Sequence, residues 1–430
     1  MNFKLTNKLK PLTWIPSLYL GEALPFAAVM CMSLLLYQEM GLSDTQITFY
    51  TSWLGLPWVI KPLWSPIVDG IKTKRWWILC MQLLIGAALA LVAFTLPTKF
   101  WLQASLALFM LIAFNSATHD ICADGFYILG LSNKDQELYV GLRNTFYRIG
   151  KLLGEGGLVI LAGLLQKSGA SIPVSWSATF LATAALMLLL CAYHWRMLPK
   201  VETPQSPLGG DTTKEFHILQ DFYMTLKVFF SKPHLLTAML FILLFRLPEG
   251  LLTRIIPLFL KRTVEEGGLG LTTVQYGFLY GFMGTIGLLG GGIIGGWFVS
   301  KYSLRRMLWP LVLCITLPDI VYVYLSHYET QNLFLIGSCV FVEQAGYGLG
   351  FTAYTLYLVH FSRGERATSV FSFCTAFQYF GGVMLPGMVS GWIADKLGYG
   401  QFFWAVMGFC LVTFAVTALV KLPEEKATKS

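Results

Sequence analysis

Long apolar runs, separated by short polar loops, set the pattern of this chain of 430 residues. A helix that crosses a bilayer needs roughly 20 apolar residues, so the pattern predicts about twelve membrane spans. They are predicted at Trp14–Tyr37, Gln46–Val68, Trp76–Leu96, Phe100–Leu129, Tyr139–Leu165, Val174–Leu198, Leu235–Leu260, Val274–Val299, Met307–Leu325, Asn332–His360, Thr368–Ala394 and Phe402–Leu422.

One long polar segment interrupts these runs, and it contains Pro204, Pro207 and Gly209-Gly210. It predicts an N-terminal half at 1–198, a cytoplasmic linker at 199–233 and a C-terminal half at 234–430. The turns after spans 2 and 8 are weakly similar, which indicates repeated halves. The predicted fold class is an all-α membrane protein of two six-helix halves, an architecture typical of transporters with a cavity near the midplane.

Composition agrees with this class, because 55% of the residues are hydrophobic and only 13% are charged. Soluble domains carry roughly 25% charged residues. The net charge of +8 comes from Lys and Arg clustered in alternate loops. That asymmetry places both termini and the linker in the cytoplasm and does not indicate nucleic-acid binding. We therefore expect contact with membrane lipid and, for the assembly, a monomer.

The cysteines give no sign of a redox or metal site. All eight lie within or at the ends of apolar runs, and none forms a CxxC pair. We expect neither disulfides nor a bound metal, and no cofactor.

Span 4 places three ionisable side chains where hydrocarbon is expected, namely His119, Asp120 and Asp124. Asp120 and Asp124 are four residues apart and share one helix face. Ionisable groups at membrane depth are costly and usually face a partner or a water-filled path. The cluster is a candidate for proton coupling or substrate binding, with structural ion pairing to span 5 as the alternative. His119 either titrates near neutral pH or is a hydrogen-bonded packing histidine.

Span 5 carries a mainly basic stripe of Arg148, Lys151 and Glu155, which are candidate substrate-binding residues. Arg148 is the expected partner of a span 4 carboxylate. Lys151 and Glu155 are four residues apart, so they can instead pair with each other. Arg143 lies close to the preceding loop and is expected at the membrane interface.

Other spans contribute single polar groups. Glu22, in span 1 beside Pro25, is a candidate proton site, because proline bends the helix and frees a carbonyl. Glu343 in span 10 is a second candidate. The remaining candidates, all for substrate binding, are Arg246, Glu249, Arg254, Gln344 and Gln378.

The charged residues of span 7 allow two interpretations. Arg246 and Glu249 are three residues apart and can neutralise each other, which would leave Arg254 for an anionic substrate. Alternatively, Arg254 extends to the outer interface. The glutamines can equally serve as inter-helix hydrogen-bond partners. Span 8 carries glycines at four-residue spacing, at Gly287, Gly291 and Gly295, which predicts close helix packing.

Several quoted motifs allow a comparison with a known family. They are Leu54-Gly-Leu-Pro-Trp-Val-Ile-Lys61-Pro-Leu-Trp64-Ser-Pro66-Ile-Val-Asp69, Ser116-Ala-Thr-His-Asp120-Ile-Cys-Ala-Asp124, Tyr147-Arg148-Ile-Gly150 and Pro386-Gly-Met-Val-Ser-Gly391-Trp392-Ile-Ala-Asp395. The chain resembles the major facilitator superfamily and, within it, the AmpG-type muropeptide permeases. The motifs touch both halves.

The resemblance implies a proton-driven inner-membrane importer of cell-wall recycling products such as anhydromuropeptides. It carries over Asp120, Asp124 and Arg148 as intramembrane charges. It also implies a cytoplasmic gate between spans 2 and 3, for which the candidates are Lys61, Asp69, Lys74 and Arg75. The chain departs from the best-known members in having no spans beyond about twelve and in its own span 7 charges.

Three alternatives remain open. Related permeases that import siderophores share the Leu-Pro-Trp…Lys-x-x-Trp-x-Pro…Asp pattern, so a siderophore or other organic anion is the main rival substrate. A membrane-embedded transferase or hydrolase would need a nucleophile with a base, or a metal cluster, and only His119-Asp120 is a candidate. A non-transporting sensor would bind the ligand without moving it.

Overall fold

The computed structural model describes residues 3–200 and 223–420, and every regular element in that part of the chain is helical. The first unbroken run of helices comprises α1 Phe3–Ala27, α2 Ser33–Glu39, α3 Asp44–Trp53, α4 Leu56–Ile60, α5 Ser65–Gly70, α6 Lys74–Thr95, α7 Trp101–Gly130, α8 Asn133–Leu152, α9 Val159–Lys167 and α10 Ile172–Met197. The second run begins with α11 at 223–230, within the predicted linker, and continues with α12 Leu235–Leu244, α13 Leu247–Lys261, α14 Thr273–Tyr276, α15 Thr285–Tyr302, α16 Leu304–Thr316, α17 Ile320–Tyr328, α18 Leu333–Ser362, α19 Ala367–Tyr379 and α20 Leu385–Leu419.

Several membrane helices contain a wider, π-helical turn between two α-helical parts. These turns are Ala28–Met32, Leu153–Leu158, Gly277–Gly284 and Phe380–Met384. The last three contain glycines, which hold a regular helix less strongly than other residues. Such turns often occur at functional sites.

Ten helical segments of the described chain are long and apolar enough to cross a membrane. Predicted span 2 is not among them, because Pro57, Pro62 and Pro66 break it into short pieces. Predicted spans 11 and 12 fall in one segment, Ser369–Leu419, which Gly398 interrupts in a left-handed conformation, φ 73°. The all-helical membrane fold is confirmed, whereas the number of spans and the sidedness of the termini stay predictions.

The chain divides into two compact units that follow the predicted halves with two exceptions. Among the described residues, the first unit contains 3–43, 50–200 and 271–282, and the second contains 44–49, 223–270 and 283–420. The start of predicted span 2 thus belongs to the second unit, and the start of predicted span 8 belongs to the first. The domain division at 199–233 remains a prediction.

In the first unit, α1 approaches α8 and the π-helical turn that follows it closely at two glycines. A Cβ atom on Gly150 would lie 2.7 Å from the carbonyl oxygen of Leu20, and one on Gly154 would lie 2.4 Å from the Cβ of Ala27. Only glycine allows this separation, and the contact places the side chains of α8 beside Glu22 of α1.

In the second unit, the glycine face predicted for span 8 packs against α18, which confirms that prediction. Gly287, Gly291 and Gly295 are buried. A Cβ atom on Gly291 would lie 2.0 Å from the carbonyl oxygen of Ala345, and one on Gly287 would lie 2.6 Å from that of Phe341.

Candidate functional site

A cluster of charged side chains lies inside the first unit, centred on α7. Asp120 accepts a hydrogen bond and ion pair from the ammonium group of Lys61, at the broken part of predicted span 2. The Trp64 indole, which follows the same break, donates to the Thr118 hydroxyl at 3.2 Å. The break therefore fixes Lys61 against α7, and the prolines that cause it position a functional side chain.

Asp124 lies one turn further along α7 and pairs with a different cation. The Arg143 guanidinium is 2.5 Å from one carboxylate oxygen of Asp124. The Tyr19 hydroxyl donates to the same oxygen at 3.3 Å, and the Arg143 guanidinium lies 4.6 Å from the centre of the Tyr19 ring. The Asp124 side chain is 39% exposed against 17% for Asp120, so the cluster becomes more open toward the end of α7.

Glu22 completes the cluster from α1. It is buried, interacts electrostatically with Asp120 and Asp124, and its Oε2 atom has no hydrogen-bond partner in the described part of the chain. Three carboxyl groups, those of Glu22, Asp120 and Asp124, thus face two cations, Lys61 and Arg143. The cluster has one carboxyl group more than its cations can neutralise.

His119 is fully buried and belongs to a separate hydrogen-bonded chain. Its Nε2 atom is 3.0 Å from the amide nitrogen of Gln82, whose oxygen lies 3.0 Å from Nδ1 of His194. His194 in turn lies 2.9 Å from the Ser17 hydroxyl. Of the two alternatives that the sequence left open for His119, this geometry matches the hydrogen-bonded packing histidine. The chain of hydrogen bonds connects α1, α6, α7 and α10.

The predicted pairing of Arg148 is wrong in this structure. Arg148 is exposed, and the cations beside Asp120 and Asp124 are Lys61 and Arg143. Arg143 was expected at the interface, but it lies five residues before Arg148 and so points about 140° away from it around the helix. Lys151 and Glu155 pair with each other at 3.2 Å, as their four-residue spacing allows.

The predicted gate residues occupy different environments. Arg75 donates to the backbone carbonyl oxygens of Leu198, at 3.1 Å, and of Trp195, so it caps the end of α10. Lys74 is buried and packs over Gly125 of α7. Lys61 is the partner of Asp120, as described above. Asp69 lies in α5, and its side chain is outside the described part of the structure.

In the second unit, the span 7 charges lie on either side of a helix break. Arg246 separates α12 from α13, and its guanidinium donates to the Tyr347 hydroxyl and lies 4.9 Å from the centre of the Phe351 ring. Arg246 and Glu249 form no direct ion pair among the described residues, although the charge of Arg246 still interacts electrostatically with Glu249. Arg254 is only 2% exposed, which contradicts an extension to the outer interface.

The other candidates of this unit are also buried or hydrogen-bonded. Gln378 is buried. The Gln344 amide donates to both carboxylate oxygens of Glu343, at 3.2 and 3.0 Å, and the Tyr322 hydroxyl donates to one of them at 2.9 Å. Glu249 and Glu343 approach each other and Asp319, which the sequence reading had not placed in a site.

Sequence reasoning missed Tyr19, Arg143 and Asp319 as members of these clusters. A helical projection of span 5 would have separated Arg143 from Arg148. No local signal links Asp319 to Glu249 or Glu343, because the three come from different helices.

Buried ionisable side chains inside each unit of an all-helical membrane bundle are the features of a secondary transporter. The profile of the Major Facilitator Superfamily matches residues 18–386, and the chain belongs to that family.

Two of the three relatives described here carry transporter names. The chain is 26% identical to the anhydromuropeptide permease of Escherichia coli (strain K12), over 84% of this chain and 70% of the permease. It is 23% identical to the putative transporter AmpG 2 of Rickettsia bellii, over 82% of each. An uncharacterised protein of Haemophilus influenzae is 26% identical over 83% of this chain and 81% of its own length.

Solved transporter structures share the fold. A POT family transporter in complex with 5-aminolevulinic acid has a TM-score of 0.70 at 11% identity, covering 94% of each chain. A D-xylose-proton symporter has a TM-score of 0.66 at 11% identity, covering 98% of this chain and 99% of its own. The chain is thus an integral inner-membrane protein, and a secondary transporter of a small molecule rather than an enzyme.

Proposed function

We propose that the chain is a proton-coupled symporter that imports cell-wall recycling products such as anhydromuropeptides. The names of its relatives in Escherichia coli and Rickettsia support this substrate class. The motifs around Lys61, Asp120 and Asp124 point the same way, because these residues build the charged cluster of the first unit.

The excess carboxyl group in this cluster is the observation that carries the proton coupling. An ionised carboxylate without a partner is costly at membrane depth, and taking up a proton removes that cost. Glu22 is the group without a cation of its own, and Asp120 is its neighbour. Protonation of either one would weaken the hold of the cluster on Lys61 and let the helices rearrange.

Cationic side chains in both units suit an anionic solute. Arg148 is exposed and makes no ion pair with the α7 carboxylates, so its guanidinium can grip a carboxylate in a two-pronged contact. Lys151 would first have to exchange Glu155 for the solute. Arg254 in α13 is a further candidate, and Gln378 can supply hydrogen bonds.

A siderophore or another organic anion is the alternative solute. The buried guanidinium groups of Arg246 and Arg254 favour a negative charge but do not distinguish a muropeptide carboxylate from other anions.

Uptake into proteoliposomes that contain the purified chain tests the proposal. We expect labelled anhydromuropeptide to accumulate when the outside is more acidic, and an unlabelled siderophore not to compete. Accumulation of a labelled siderophore instead would select the alternative solute. If the uptake of neither solute responds to the pH gradient, the proposed proton coupling is refuted.

A further inference from the structure

Three carboxyl groups meet inside the second unit, and none of them belongs to the charged cluster of the first unit. Glu249 comes from α13, Asp319 from the turn between α16 and α17, and Glu343 from α18. One oxygen of each lies within 4.8 Å of the others. They are almost fully buried, with exposures of 6% for Glu249, 2% for Asp319 and 2% for Glu343.

Close backbone packing holds these carboxyl groups together. A Cβ atom on Gly250 would lie 2.3 Å from the carbonyl oxygen of Gly382, so glycine lets the start of α13 reach the π-helical turn at 380–384. A Cβ atom on Gly346 would lie 2.7 Å from Pro318, so α18 lies directly against the turn that carries Asp319. The positions follow from tight helix contacts rather than from flexible side chains.

The hydrogen bonding of the three groups is uneven. Glu343 accepts hydrogen bonds from the Tyr322 hydroxyl and the Gln344 amide, which suits an ionised carboxylate. Both carboxylate oxygens of Asp319 and the Oε1 atom of Glu249 have no hydrogen-bond partner among residues 3–200 and 223–420. Buried polar atoms are normally satisfied, so these oxygens need a partner.

That partner is not a basic side chain of the described chain. Among residues 3–200 and 223–420, none of these three carboxyl groups forms an ion pair with a Lys, Arg or His side chain. Arg246, which is close in sequence, directs its guanidinium to Tyr347 and Phe351. Three carboxylates that remain ionised together would repel one another strongly at these buried positions.

We propose that Glu249, Asp319 and Glu343 form a binding site for a small hard cation, Na⁺ or Ca²⁺. Such ions prefer carboxylate oxygens, and Ca²⁺ lies about 2.3–2.6 Å from each, so two of its ligands can be up to roughly 5 Å apart. The separation of 4.8 Å or less fits that spacing. The sequence predicted no metal because that reasoning rested on cysteine spacing, which does not detect carboxylates from distant helices.

Direct ion binding to the purified full-length chain tests this site without any transport measurement. In detergent at constant ionic strength, we expect ²²Na⁺ or ⁴⁵Ca²⁺ to bind saturably, with about one ion per chain at a site of this kind. The same ion should raise the thermal unfolding temperature, because it binds only the folded chain. Comparing the two ions identifies which one the site takes.

Single-atom substitutions connect the binding to these residues. D319N and E249Q each keep the shape of the side chain and remove a ligand charge, and each should raise the dissociation constant about tenfold or more. E265Q removes a carboxylate from an exposed position and should leave binding unchanged. Size-exclusion profiles and circular dichroism establish that each variant is folded.

Two results would overturn the proposal. One is the absence of saturable binding of both ions to the unmodified chain. The other is binding that persists with unchanged affinity in folded D319N and E249Q. Because neither result involves a transported solute, they leave the proposed import function to its own test.

Discussion

The Lys61–Asp120 ion pair supplies a prediction whose size follows from its burial. The Lys61 side chain is 33% exposed and that of Asp120 is 17% exposed, so the pair is partly shielded from water. Removing one partner of a buried pair costs about 3–5 kcal/mol, and the partial exposure favours the lower end. For Lys61→Met we expect a loss of about 3 kcal/mol, because Asp120 then has no cation beside Glu22.

The reverse change, Asp120→Asn, should cost less, about 1–2 kcal/mol. Lysine has a long flexible stem, and Lys61 can turn its ammonium group toward water. The double variant, Lys61→Met with Asp120→Asn, leaves no unpaired member of the ion pair. Its loss of stability should therefore be smaller than the sum of the two single losses. The coupling between them should be about 1 kcal/mol or more.

Thermal unfolding reported by a thiol-reactive dye measures these losses. Cys122, Cys374 and Cys410 are free and buried, so their thiols react with the dye only when the chain opens. For a chain of this length, a loss of about 3 kcal/mol should lower the unfolding temperature by about 3–4 °C. Lys134→Met, at an exposed position at the start of α8, is the matched control and should have little effect. The reasoning fails if Lys61→Met resembles Lys134→Met, or if the two single losses add fully.

Two further predictions concern the second unit. Gly291→Ala should destabilise the chain by about 1–3 kcal/mol, because its Cβ would press on the Ala345 carbonyl, whereas Gly290→Ala has open space and should be neutral or slightly stabilising. Equal unfolding temperatures for the two variants would contradict the observed packing of α15 on α18. Asp44 is paired with Arg262 at 2.7 Å and accepts a hydrogen bond from the Tyr399 hydroxyl, and both members of the ion pair are largely buried. Asp44→Asn should therefore cost about 2–4 kcal/mol, and Glu329→Gln, at an exposed carboxylate, serves as its control. An unchanged unfolding temperature of Asp44→Asn would show that the pair contributes no net stability.

Features set by local sequence were predictable. The apolar runs located the membrane helices except predicted span 2, which its prolines break, because a helix that crosses the bilayer needs a sufficient length of apolar residues. The four-residue glycine spacing predicted the packing of α15 on α18, and the Lys151–Glu155 spacing allowed the pair that is observed. Each of these depends on the helical repeat, which can be read from a single segment.

The partners of the buried charges were not predictable in the same way. Lys61 was interpreted as part of a gate, but the proline break in predicted span 2 places it on Asp120. Choosing Arg143 rather than Arg148 requires the rotation of α8 about its axis, which the glycine contacts with α1 determine. The meeting of Glu249, Asp319 and Glu343 depends on three separate helix contacts that no short window of sequence contains.

Proton influx measured together with solute uptake tests the central claim most directly. Proteoliposomes loaded with a pH-sensitive dye receive labelled anhydromuropeptide, and both signals are followed for the unmodified chain and for Asp120→Asn. We predict that the unmodified chain acidifies the lumen as solute enters, and that folded Asp120→Asn no longer couples the two. Solute entry without acidification, or unchanged coupling in Asp120→Asn, would contradict the account.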